Sequence, residues 1–108
     1  MTDTGVIDGV LAALAEPTRR QLLDVLGERG AATATALAGR LPVSRQAVVK
    51  HLAVLERAGL VVPRRAGREV YYELRPDRLD TTARWMAGLA ETWERRLTAI
   101  KRLAEQQL

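Results

Sequence analysis

The sequence predicts a mainly α fold, about five helices plus one two-stranded β-hairpin, and three observations carry that prediction. Apolar residues recur at three- and four-residue spacing over most of the 108 positions. A Val- and Tyr-rich stretch with Gly67 at its bend interrupts them between residues 60 and 75. From Leu79 to Ala104 the apolar positions keep an unbroken repeat of alternating four and three. With 47% hydrophobic residues, the chain has enough aliphatic side chains for a single domain spanning 1–108.

Each element has its own signal. Val6, Val10, Leu11 and Leu14 share a helical face, predicting a first helix that ends near Ala15. Pro17 suits the first turn of a second helix, which runs through Leu22, Leu23, Val25 and Leu26 and stops near Gly30. A short third helix is expected from Thr33 to Leu41, where Pro42 blocks its continuation. Ser44 is a good N-cap for a fourth helix ending at Gly59. Leu60 to Arg65 and Glu69 to Arg75 read as a hairpin. A last helix starts near Arg78, and its 4-3 repeat is the pattern of a helix-helix seam.

Short helix, turn, helix, then a ribbon with an arginine-rich tip is the order of a winged helix-turn-helix, with the helix pair at 33–58 and the wing at 60–75. Charge follows the same division. The net charge is +4, yet residues 1–16 hold three acids and no base, while 17–75 hold 11 basic and five acidic side chains. Fifteen of the 17 basic residues are Arg, which suits bidentate contact with phosphate and guanine and equally fits the codon bias of GC-rich DNA.

With no cysteine, disulfides, thiol chemistry and thiolate metal sites are excluded. No Ser/His/Asp set, metal cluster or phosphate loop is present, so an enzyme is not expected, nor a cofactor. The N-terminus lacks a secretory signal, and no stretch approaches the ~20 apolar residues of a membrane span. The expectation is a soluble cytoplasmic protein with no membrane partner.

On the fourth helix, Val48, Leu52 and Leu55 fall on one side, with Ala47 and Ala58 flanking them, and should pack on the core. Gln46, Val49, Lys50, Ala53 and Arg57 fall opposite, with Arg45 at the edge. That face offers Gln46 for adenine, Arg45 for guanine, Val49 for a thymine methyl and Lys50 for a phosphate. Ser44 can cap the helix and also donate to the DNA backbone at its positive end. His51 projects toward the packed side, where a structural or phosphate hydrogen bond is the expectation. On the wing, Arg64, Arg65 and Arg68 surround Gly67 and should add affinity that falls with salt. Tyr71 and Tyr72 point to opposite faces; Tyr72 is the candidate for a backbone contact.

These segments resemble the ArsR/SmtB family of bacterial winged helix-turn-helix repressors over nearly the whole chain. Leu14-Ala15-Glu16-Pro17-Thr18-Arg19-Arg20-Gln21-Leu22-Leu23 is similar to the family's entry motif, and Ser44-Arg45-Gln46-Ala47-Val48-Val49-Lys50-His51-Leu52 to its recognition helix. Gly59-Leu60-Val61, Arg65-Ala66-Gly67-Arg68 and Tyr71-Tyr72 resemble its wing. The resemblance implies a homodimer joined through the first and last helices, 1–15 and 78–108, binding double-stranded DNA at a palindromic operator and repressing transcription, often of its own operon. Val6, Val10, Leu14, Leu79, Met86, Leu89, Trp93, Leu97 and Ile100 are the candidate dimer residues. Trp85, Met86, Leu89, Trp93 and Leu97 fit a dimer core better than a pocket for an apolar effector.

Many members of that family sense metals through a Cys-Val-Cys segment, but here Thr33-Ala34-Thr35 occupies its place. Thr hydroxyls are poor ligands for soft metals. The carboxylates and histidines of the other common site are also missing: Pro76-Asp77-Arg78, with Leu89 and Thr92 further on, supply no such set. The likeness is to the branch without a metal site, with any small-molecule effector left open. A winged helix serving as a protein-protein module is the alternative, because the fold does not fix function.

Overall fold

The computed structural model describes residues 3–106. Helix α1 (Asp3–Leu14) is followed by α2 (Pro17–Arg29), strand β1 (Ala31–Thr33), α3 (Ala34–Ala38), α4 (Arg45–Arg57), strands β2 (Val61–Ala66) and β3 (Glu69–Leu74), and α5 (Asp77–Gln106). The order expected from periodicity is present, with one addition. The wing is three-stranded, in the order β1-β3-β2, with both pairings antiparallel. Ala31-Ala32-Thr33 carries no β-branched run and no alternation long enough to announce a strand. It becomes one because β3 lies alongside and pairs Ala31 with Glu73 and Thr33 with Tyr71.

Local chemistry sets the helix ends. Glu16 caps α2 by accepting from the Arg19 amide at 3.2 Å, and Pro17 occupies the first turn. Gly30, at φ 85°, closes the same helix. Arg19 turns back to donate through Nε to the Ala13 carbonyl at 2.6 Å, and Arg20 reaches the carbonyl of Leu14, so the C-terminal carbonyls of α1 are satisfied from α2. Thr33 caps α3, its hydroxyl accepting from the Ala36 amide at 3.1 Å. That helix is shorter than expected, ending at Ala38 with Gly39 as C-cap, so Pro42 lies in the turn and does not stop it.

The end of α4 is a Schellman motif. The Leu60 amide donates to the Leu55 carbonyl and the Gly59 amide to Glu56, both at 2.9 Å, with Gly59 at φ 79°. Arg78, from the first turn of α5, donates through Nη1 to the Ala58 carbonyl at 3.0 Å and lies over Gly59. A carbonyl left free at the end of one helix is thereby satisfied by a side chain from the start of another.

The core sits where α1, α2, α3 and α4 meet the base of the sheet. Leu22, Leu26, Leu37, Val48, Leu52, Leu55 and Leu60 are fully buried there, together with Val10. Burying a Leu or Val side chain contributes ~1.5–3 kcal/mol, so these eight dominate the favourable side of folding. Val10, a candidate for the dimer face, is thus enclosed by its own chain, within the same core cluster as Leu22 and Leu26. Leu14 and Leu79 are partly buried against the same core, and Val6 is half-buried.

Helix α5 departs from this pattern. Its first turns pack on α1, and Thr82 is its one buried residue among those described. Beyond them, Trp85, Met86, Leu89, Trp93, Leu97, Ile100 and Leu103 are each between 44 and 61% exposed. Thirty residues of helix span ~45 Å, which accounts for much of the 71 Å long axis. No helix among the described residues is long and apolar enough to cross a membrane.

Candidate nucleic-acid interface

Helix α4 presents the side the periodicity assigned outward. Val48, Leu52 and Leu55 face the core, while Arg45, Gln46, Val49 and Lys50 line one shallow, open concavity. Ser44 caps the helix, its Oγ accepting from the Ala47 amide at 3.1 Å. Because α4 has no acidic residue in its first turn, the partial positive charge of its free amides is left to act outward beside the Arg45 and Lys50 side chains.

Arg45 is the most constrained of the four. Its Nε donates to Oγ1 of Thr35, in the first turn of α3, at 3.0 Å. Thr33, Thr35, Arg45, Val49, Arg68, Glu69, Val70 and Tyr72 line a groove running from α3 across α4 to the wing. The structure therefore brings Arg45, Gln46, Val49 and Lys50 of the recognition helix and two candidates of the wing, Arg68 and Tyr72, to one side of the molecule. Tyr72 reaches this groove from the inward face of β3 and also packs against the core.

Two candidates are engaged elsewhere. Nδ1 of His51 lies 3.4 Å from Nη1 of Arg19, and its Nε2 lies 3.9 Å from Oε2 of Glu16. His51 thus bridges α4 to the α1–α2 corner, away from Arg45 and Gln46. Arg64 pairs through Nε with Oε1 of Glu73 at 2.7 Å and stacks over Tyr71, 5.5 Å from its ring centre. Tyr71 in turn donates to Glu69 at 2.9 Å, and this bond to a carboxylate, reinforced by its charge, raises the phenol above its ordinary value. The outer face of the wing is a closed chain of paired groups, which leaves Arg65 and Arg68 as its exposed cations without a carboxylate partner among the described residues.

The helical faces could be read from the sequence, but the partners that hold Arg45, Arg64 and His51 could not. Thr35, Glu73 and Glu16 lie 10, nine and 35 residues from them, with no periodicity to link the pairs. A polar pair flanking a predicted turn, as Thr35 and Arg45 do, is the only signal that could have suggested one of them.

The Thr33-Ala34-Thr35 stretch makes two side-chain hydrogen bonds. Thr33 caps α3 and Thr35 holds Arg45. Among the described residues no group of three or more His, Cys, Asp or Glu could hold a metal ion.

A helix-turn-helix domain family matches residues 14–64. The chain is 39% identical over 100 residues to the HTH-type transcriptional regulator Rv2034 of Mycobacterium tuberculosis, covering 93% of this chain and 90% of that one. It is 32% identical over 80 residues to the transcriptional repressor SdpR of Bacillus subtilis, covering 74% and 88%. Among solved structures, an ArsR-like transcriptional regulator from Rhodococcus sp. RHA1 superposes with a TM-score of 0.82 at 44% identity, over 94% of both chains.

Proposed function

The chain belongs to the ArsR-like helix-turn-helix transcriptional regulators, and from that premise we propose that it acts in the cytoplasm as a homodimeric repressor of a palindromic operator. The observation that carries this reading is that Arg45, Gln46, Val49 and Lys50 of α4 share one open face, with Arg68 across a groove whose one acidic side chain is Glu69. Gln46 and Arg45 read base edges in the major groove, Val49 meets a thymine methyl, and Lys50 meets a phosphate. Ser44 holds the start of α4 and donates its hydroxyl proton to the backbone. Arg65 and Arg68 supply affinity that does not depend on sequence. His51 and Arg64 serve the shape of the site, through Arg19 and Glu73, and do not contact bases.

The dimer rests on α5. Its apolar stripe, from Trp85 to Leu103, is exposed, as is Leu11 of α1 at 38%, and a second copy of the same stripe covers it. Two-fold symmetry of the protein then requires two-fold symmetry of the operator. Repression is favoured over activation by the similarity to SdpR, itself a transcriptional repressor.

A mobility-shift titration against the DNA upstream of its own gene, with scrambled duplex as competitor and salt varied, tests the reading. Tight binding that resists the competitor is expected. Equal, weak and salt-labile binding of both duplexes would remove self-regulation, and a stoichiometric protein partner without DNA binding would remove the repressor.

A further inference from the structure

The bond between Thr35 and Arg45 does more than tether two helices. Arg45 is the first residue of α4, exposed, with no carboxylate paired to it among the described residues and no core packing to hold its long side chain. Thr35 is itself exposed, but its backbone is fixed. It lies in the first turn of α3, a helix fixed at its start by the Thr33 cap and by the pairing of β1 with β3.

We infer that Thr35 is a positioning residue for sequence reading: by accepting the Nε proton of Arg45 at 3.0 Å, it leaves only the two terminal nitrogens of the guanidinium free to meet a base. A guanidinium has two edges able to donate in pairs, one containing Nε and one made of Nη1 and Nη2. Thr35 occupies the first. The second matches O6 and N7 of guanine, so Arg45 approaches end-on, with its rotamer set before DNA arrives. Both residues line the groove between α4 and the wing, which Arg68 and Glu69 also line. This inference rests on Arg45 being a base reader, as in the proposed function.

The test is selection of bound duplexes from a randomised pool by the full chain and by Thr35→Val, Thr35→Ser and Arg45→Ala, with thermal midpoints checked to match. Wild type should enrich one guanine per half-site, and Arg45→Ala should lose that preference alone. Thr35→Val, which keeps the shape but not the acceptor, should cut discrimination at that position on the order of tenfold, with affinity for a non-cognate duplex and its salt slope unchanged. Thr35→Ser, which restores the hydroxyl, should recover it. Undiminished preference in Thr35→Val, a loss shared by Thr35→Ser, or equal losses at every position would overturn the role of Thr35. If Arg45→Ala changes no position, base reading by Arg45 fails first, and the positioning role fails with it.

Discussion

Arg78 lies so close over Gly59 that a Cβ on the glycine would fall 2.5 Å from Nη1 and 2.6 Å from Cζ. Gly59 needs its freedom twice, for φ 79° and for this contact. Gly59→Ala should therefore lower stability by roughly 1–3 kcal/mol in urea unfolding, from the left-handed backbone and a displaced guanidinium. Arg78→Ala alone should cost about 1 kcal/mol, and the double variant should cost less than the two together, because one lesion relieves the other. Strict additivity would show that the contact carries no energy.

Ser44 has separable duties. Ser44→Ala removes the cap on α4 and should cost about 1 kcal/mol, whereas Ser44→Asp keeps an acceptor for the Ala47 amide and should be close to wild type in stability. Asp adds a negative charge where a phosphate is expected, so its DNA affinity should drop at least roughly tenfold despite the intact fold. Retained binding in Ser44→Asp would place Ser44 outside the interface.

The three wing arginines should not behave alike. Arg65→Ala and Arg68→Ala should each reduce the slope of log affinity against log salt by about one, uniformly over sequences. Arg64→Ala should change it less, since Arg64 is already paired with Glu73 and stacked on Tyr71. Equal slopes for all three would mean that the Arg64–Glu73 pair opens on DNA.

Gln46→Ala should relax preference at one base pair per half-site, at a cost of roughly 1–3 kcal/mol. Selection from a randomised pool reads this directly.

Leu97→Glu puts a charge into the exposed stripe of α5, where the wild-type side chain is 59% exposed. Monomers by light scattering, with poor operator affinity and an unchanged circular-dichroism spectrum, are the expected outcome. An unaltered dimer would move the interface off this face.

The elements that periodicity can encode were legible. The core face of α4 through Val48, Leu52 and Leu55 follows from helical spacing, and the hairpin from its Val and Tyr residues about Gly67. Contacts that depend on how elements dock were not. Val10 repeats at the same spacing as Val6 and Leu14, and nothing local says that the chain's own core encloses it while α5 keeps its stripe bare. Strand β1 escaped for the same reason, being three residues defined wholly by a distant neighbour.

That strand also bears on how the chain folds. A hairpin of two strands is marginal by itself, and β1 joins it across a loop of roughly forty residues, from Ala31 to Glu73. The closure entropy must be met before the third strand adds its bonds, so helices α2 to α4 should assemble first and the wing should settle onto them late. Amide protons of β2 and β3 would then exchange earlier than those of Leu22, Leu26, Leu52 and Leu55, leaving the ribbon less protected than the helical core.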